Sequence, residues 1–308
     1  MRKLAYLGGA ALAAAAFALV PQGPARAWGP DGHHIVCALA YLNLTSVAKA
    51  EVDRLTAADG RYKSFADSCT WADDVRSTRG RGGEHFVNYP RSLAKVTGPA
   101  CPGAAPCVIS AIDADLKTLG SPGPDTARVE ALKWVGHWFG DIHQPLHISF
   151  EDDRGGNSVN VTGACGPVHT KNLHAAWDSC ILRERILAGG GGDPLARDVA
   201  TAAALNAAIT PADRTAWLGS QPWTWAAESY AVTLQPQTLY CFKKGGSCRY
   251  SKTQATYKAG AKPRVQPLSA AYLDRAAPIV SGRLSRAGIR LADALNRALD
   301  PAYPGFGA

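Results

Sequence analysis

Apolar residues recur every three or four positions in several Ala- and Leu-rich stretches of this chain, a spacing that places them on one side of an α-helix. The pattern predicts helices over 33–44, 47–55, 108–119, 127–143, 195–208, 223–234 and 270–299. The last contains Pro278 and reads either as two helical segments meeting there or as one kinked helix. Pro- and Gly-rich stretches at 98–106, 120–124, 189–194 and 259–267 predict loops. Strand-like alternation is scarce, and residues 157–162 are its best case. There is no internal repeat and no long linker, and the glycine run at 189–192 reads as a surface loop. The expected fold is therefore mainly α, a single compact helical domain.

The beginning of the chain departs from this pattern. Met1-Arg2-Lys3 precedes a run of mostly Leu and Ala from Leu4 to Val20, and Ala25-Arg26-Ala27 closes the segment. A basic start, an apolar stretch and an A-x-A site in that order predict a signal peptide, residues 1–27, removed after Ala27. A membrane anchor is the competing reading, but it needs ~20 strongly apolar residues. This run has 17, two of them Gly. No comparable run follows, so residues 28–308 are expected to be secreted or periplasmic, monomeric and without stable membrane association. The formal charge of +8 includes Arg2, Lys3 and Arg26, so the processed chain keeps a mild +5 that suits a polyanion without singling one out. All eight Cys lie beyond residue 27, and in an exported chain they predict up to four disulfides. The short loops Cys101–Cys107 and Cys241–Cys248 are the simplest pairs, with Cys165–Cys180 next. No C-x-x-C pair exists, which argues against a zinc-thiolate site.

The histidines carry the chemistry. His137 and Asp141 are four apart in Trp134-Val-Gly-His-Trp-Phe-Gly-Asp-Ile-His-Gln-Pro-Leu-His147, so both side chains can reach one ion from one helix face. His174 and Asp178 repeat the spacing. Pro145 should end the first helix and let His147 swing toward a second position. Asp73 and His85, in Trp71-Ala-Asp73-Asp-Val-Arg76 and His85-Phe86, offer two more donors. One His/Asp pair at this spacing is more often a salt bridge or a cap than a metal site, but two pairs with further histidines shift that balance. Nitrogen and oxygen donors without thiolate suit catalytic zinc. Cleavage after Ala27 would also leave Trp28 with a free α-amine five residues before His33, making the terminus itself a candidate ligand. These residues point to a multinuclear zinc hydrolase.

Taken together, Trp28-Gly-x-x-Gly-His33, Trp71-Ala-Asp73-x-x-Arg76, His85-Phe86, His137-x-x-x-Asp141-x-His-Gln-Pro-Leu-His147, Gly155-Gly-Asn157 and Asn172-Leu-His174-x-x-Trp-Asp178 resemble the single-strand-specific zinc nucleases of the nuclease S-one/P-one type. That family is related in fold to bacterial zinc-dependent phospholipase C. The resemblance implies three Zn2+. Asp73, His85 and His137 would hold the first, and His147, His174 and Asp178 the second. The α-amine and carbonyl of Trp28 with His33 would hold the third, and Asp141 would bridge the first and third. The residues alone agree on the donor chemistry and leave the assignment to ions open. The implied activity is endonucleolytic hydrolysis of single-stranded DNA and RNA to 5′-phosphorylated products, with 3′-nucleotidase activity on 3′-mononucleotides.

Other roles follow with their simpler counterparts. Asp73 would also orient the attacking water, and Arg76 would clamp the phosphate, against an ordinary ion pair. Phe86 would stack a base, against core packing. Asn157 would contact base or phosphate, against turn chemistry. Asn88 stands where the fungal proteins usually carry Asp, which leaves base preference open. His143, between Asp141 and His147, is expected to support the ligands, and His34 and His169 to be surface or supporting residues. Trp71, Trp134, Trp138 and Trp177 read as core aromatics. Two alternatives are a phospholipase C and a non-catalytic zinc-binding protein. The pair ending in Asp178 rather than Glu, and the 27-residue separation of His147 and His174, favour the nuclease over the first. The complete donor set with Arg76 argues against the second.

Overall fold

A computed structural model describes residues 28–165, 170–187, 189 and 192–306. The expected signal peptide, His169 and part of the glycine run at 189–192 lie outside the described residues. Helices start where the sequence can satisfy their first N–H groups. Helix α1 (Pro30–Leu42) opens on proline, which lacks the N–H that would be left unpaired. In α2 (Ser46–Asp59) the Thr45 hydroxyl accepts the N–H of Ala48. Two short helices follow, α3 (Phe65–Ser68) and α4 (Trp71–Val75), then α5 (Val108–Gly120) and α6 (Asp125–His143). A second group comprises α7 (Leu173–Ala175), α8 (Ile181–Arg185), α9 (Pro194–Ala208), α10 (Pro211–Trp217) and α11 (Pro222–Thr233). The chain ends in α12 (Ala270–Leu299), capped by the Ser269 hydroxyl. The fold is mainly α, and no helix among the described residues is long and apolar enough to cross a membrane.

Helix α6 is the axis of the molecule. Every residue from Ala131 to His143 is buried, as expected of a helix enclosed on all sides. Helices α1, α2, α5, α11 and α12 pack around it. The strands are short and paired in twos. β1 (Val87–Tyr89) runs parallel to β2 (Ile148–Phe150), in a register that sets Val87 against Ile148. β3 (Val159–Gly163) runs parallel to β6 (Arg264–Leu268), and β4 (Phe242–Lys244) forms a hairpin with β5 (Ser247–Arg249).

Three expectations are refined. The stretch 259–267, read as a loop from its Pro and Gly, ends in β6, with Pro267 tolerated because the sheet has only two strands. One continuous helix passes through Pro278, whose ring lies on its exposed side. The short helices α3, α4 and α10 were not expected, since four to seven residues cannot show helical periodicity. Cysteines pair as Cys101–Cys107, Cys165–Cys180 and Cys241–Cys248, with Cys37–Cys69 as the fourth bridge.

Candidate metal and catalytic centre

Six separate segments bring their polar ends to one place. His33 comes from α1, Asp73 from α4, and His137 with Asp141 from α6. His85 and His147 each lie two residues or fewer ahead of the paired strands β1 and β2, so the parallel register holds them side by side. The His147 Nδ1–H donates to the His85 carbonyl at 2.6 Å. His174 comes from α7, and Asp178 from the wide π-helical turn Ala176–Cys180 that follows. Such turns occur often at functional sites. The four-residue spacing predicts a regular helix, and across this wider turn the two side chains still converge, with Nε2 of His174 3.6 Å from Oδ2 of Asp178.

The hydrogen bonds fix which nitrogens face inward. His137 Nδ1–H donates to the Cys69 carbonyl at 2.8 Å, and His174 Nδ1–H to the Gly155 carbonyl at 2.8 Å. A ring nitrogen facing a carbonyl must carry the proton, so the Nε2 atoms of His137, His147 and His174 present lone pairs. Those of His147 and His174 face each other at 3.2 Å, and His137 Nε2 faces His85 Nδ1 at 3.2 Å. Facing lone pairs repel unless a cation lies between them. Protons are a poor substitute: burial holds His174 at about 4 and pushes His137 and His147 below the ordinary imidazole range.

The carboxylates show the same need. Oδ2 of Asp141 is 3.0 Å from His85 Nδ1 and 3.4 Å from His137 Nε2, while its Oδ1 is 3.5 Å from His33 Nε2. Asp73 Oδ1 is 3.8 Å from both His85 and His137. Both oxygens of Asp141, Asp73 Oδ1 and both ring nitrogens of His33 are buried without a hydrogen-bond partner. A buried polar atom left unpaired costs ~1–3 kcal/mol, more when charged, so five such atoms in one place mark a site built for cations. Burial, with the Asp73 charge adding to it, raises the Asp141 carboxyl well above its usual range, and burial does the same to Asp178.

The N-terminal end of the described chain is tightly seated here. Trp28 is wholly buried, its indole N–H donates to the Gly140 carbonyl at 2.9 Å, and the Gly29 N–H donates to the Asp178 carbonyl at 2.9 Å. Glycine at 140 is what lets α1 come this close: a Cβ there would stand 2.7 Å from His33 Nδ1. Gly140→Ala should therefore displace His33, lower the thermal midpoint by the equivalent of ~1–3 kcal/mol, and cost bound metal by elemental analysis. Unchanged metal content would show that His33 does not ligate.

The profile of the family described as S1/P1 Nuclease matches residues 28–300. The chain belongs to the S1/P1 nuclease family. It is 28% identical over 288 residues to Endonuclease 5 of Arabidopsis thaliana, covering 89% of this chain and 90% of that protein. Nuclease S1 of Aspergillus oryzae is 28% identical over 275 residues, covering 86% and 89%. The match to Endonuclease 2 of Arabidopsis thaliana is 33% identical over 168 residues but spans only 50% of this chain and 56% of that protein.

In this S1/P1 nuclease, Arg76 reaches toward the cluster, its Nη1 3.7 Å from Asp73 Oδ1. Its charge acts on Asp141 and Asp178 and on His85, His137, His147 and His174. Phe86 and Asn88 are half-buried beside His85, and the Oδ1 of Asn88 has no partner. Asn157 donates to the Arg154 carbonyl at 2.8 Å, a turn contact. Trp71, Trp134, Trp138 and Trp177 are buried core residues, as expected. His143 turns away from the cluster: its Nδ1 bonds the Phe139 carbonyl and its Nε2 meets Arg290 at 2.9 Å. Four apart from Phe139 on one helix, it faces α12 instead of the ligands. His34 is buried and pairs with Asp198 of α9 at 2.9 Å.

Several supporting residues carried no advance signal. Gln144 donates to Asp178 and accepts from the Leu146 N–H, tying the turn after α6 to the π-helical segment. From α11, the Ser229 hydroxyl donates to the Ile142 carbonyl at 2.5 Å, and Thr233 to the carbonyls of Pro145 and Ile148. Arg283 of α12 adds a bond to the His143 carbonyl at 3.1 Å. These donors satisfy the open C-terminal end of α6 and hold the turn that carries His147.

Proposed function

We propose that the processed chain is an exported, zinc-dependent endonuclease of single-stranded DNA and RNA, releasing 5′-phosphorylated products and acting also on 3′-mononucleotides. The observation that carries this reading is the set of inward lone pairs and unpartnered buried oxygens beside Arg76. On this reading Asp73, His85 and His137 would hold one ion, His147, His174 and Asp178 a second, and Trp28 with His33 a third, with Asp141 between the first and third. The donors that lie mutually close are those of His33, Asp73 and His137, of His85, His137 and Asp141, and of His147, His174 and Asp178. Zinc bound there would supply Lewis acidity toward the phosphate and activate water near neutral pH. Asp73 would orient the attacking water by accepting a hydrogen bond from one of its O–H groups. Arg76 pairs with the non-bridging phosphate oxygens and stabilises the charge that builds as the 3′ oxygen leaves. Phe86 offers a face on which a base can stack.

The test is hydrolysis of single-stranded DNA, RNA, duplex DNA and a phosphatidylcholine analogue side by side, after metal removal and zinc return. Zinc-restored cleavage of the single strands supports the reading, and lipid turnover alone overturns it. Metal uptake should also depend on pH. Burial lowers the pKa of the histidines and raises that of Asp141 and Asp178, so it favours the protonated form of both carboxyls, and an ion must displace those protons. Affinity should therefore rise with pH as the two carboxyls ionise. Calorimetry in buffers of different ionisation enthalpy should find protons released on binding, and their absence would show that both carboxylates are already charged.

A further inference from the structure

Charge is distributed unevenly along this chain. Residues 229–273 hold seven Lys and Arg and no Asp or Glu, although 25 acids in 308 residues would place three or four in a stretch of that length. The rest of residues 28–308 nets −2, so all of the positive excess lies in this segment. Two of its cations serve the fold. Arg249 donates to the Thr253 carbonyl, and Arg264 to the carbonyls of Leu239 and Tyr240 while lying over Phe242. The other five, Lys243, Lys244, Lys252, Lys258 and Lys262, are exposed, and none forms an ion pair with a described residue. Lysines on a sheet edge protect it from aggregation. That accounts for Lys243 and Lys244 on β4, but not for the three in loops or for the missing acids.

The segment is fastened to the centre. The Tyr257 N–H donates to Asp152 at 2.6 Å, the Tyr240 hydroxyl to Asp153, and the Tyr250 hydroxyl to the Ser158 carbonyl. Arg91 binds Asp152 at 2.7 Å and Asp153 at 2.6 Å, so these two acids are neutralised internally, while Glu151 of the same loop is exposed. The loop 151–158 built this way supplies the Gly155 carbonyl that fixes His174, and it carries the exposed Arg154.

We propose that this lysine-rich segment binds the backbone of single-stranded nucleic acid, engaging phosphates beyond the one being cleaved. The proposal rests on the nuclease reading and adds a length-dependent subsite to it. A long strand gains affinity from counterion release at each extra phosphate, whereas a dinucleotide has no internucleotide phosphate beyond the one being cleaved.

The test compares wild type with a variant carrying Lys243→Gln, Lys244→Gln, Lys252→Gln, Lys258→Gln and Lys262→Gln, and with the five corresponding Lys→Arg changes. Binding of a long single strand is measured by fluorescence anisotropy on metal-free protein, and hydrolysis of the strand and of a dinucleotide on the zinc-loaded enzyme. The Gln variant should bind the strand roughly tenfold more weakly at low salt, and its log K against log salt slope should be shallower by about 2 if three phosphate contacts are lost. Dinucleotide hydrolysis should be unchanged, and the Arg variant should behave as wild type. Equal losses on strand and dinucleotide would overturn the proposal, since the segment would then act only by bracing His174. So would unchanged strand binding, including the case where only heparin or anionic vesicles lose affinity. If the wild-type enzyme cleaved no nucleic acid yet its metal-free form bound strands through these lysines, the nuclease reading would fail while the surface stood.

Discussion

Asp141→Asn is expected to lower kcat/KM on single-stranded DNA by about three orders of magnitude, equivalent to ~4 kcal/mol of barrier. The carboxylate faces His33 through one oxygen and His85 with His137 through the other, so it stands between those two groups with an oxygen toward each. Asparagine keeps the shape but presents N–H to one side and carries no charge. The stability effect should change sign with loading. Without metal, Asp141 is a buried acid beside Asp73 with neither oxygen paired, and its removal should leave the thermal midpoint unchanged or higher. With zinc, the variant should melt below wild type and retain less metal. Wild-type zinc content and turnover in the variant would remove Asp141 from the centre.

The second large effect is expected from a change that touches no side chain. One extra residue ahead of Trp28 turns its amine into an amide, which is a poor ligand. The burial of the indole and the bonds to Gly140 and Asp178 leave the terminus no freedom to move aside. Such a protein should lose one zinc per chain and about 100-fold in kcat, taking the loss of one charge-stabilising contact as the guide. The comparison is with protein processed to begin at Trp28, with the start of each verified by mass spectrometry. Equal zinc and equal kcat would mean that the amine is dispensable and that export has no part in assembling the centre.

The candidate ligands were legible because their donor types recur at spacings a helix or a turn can use, and because each motif is local. His137 with Asp141 is the clearest case. Which way His143 turns was not legible: its place in the motif suggested the cluster, and its direction is decided by Arg290, 147 residues away. Ser229, Thr233 and Arg283 act through backbone carbonyls, and Gln144 through the Asp178 carboxylate and the Leu146 N–H, roles that leave no characteristic spacing. Long amphipathic helices were read within a few residues of their ends, whereas α3, α4 and β6 are too short, or too rich in proline, for periodicity to register. The lysine-rich segment is the reverse case, present in the sequence as missing acids and meaningful only once its hydrogen bonds to the 151–158 loop are seen.

The cradle formed by α11 and α12 bears on how small this nuclease can be made. Every candidate ligand lies within residues 28–178, which invites a shortened version ending soon after Asp178. Such a fragment would leave the carbonyls of Ile142, His143, Pro145 and Ile148 without Ser229, Thr233 and Arg283, and the corner bearing His147 would be untethered. Motif and module are thus different units here. Evolution by recombination, or a protein engineer, can exchange the substrate-facing loops, but the last third of the chain must travel with the first two.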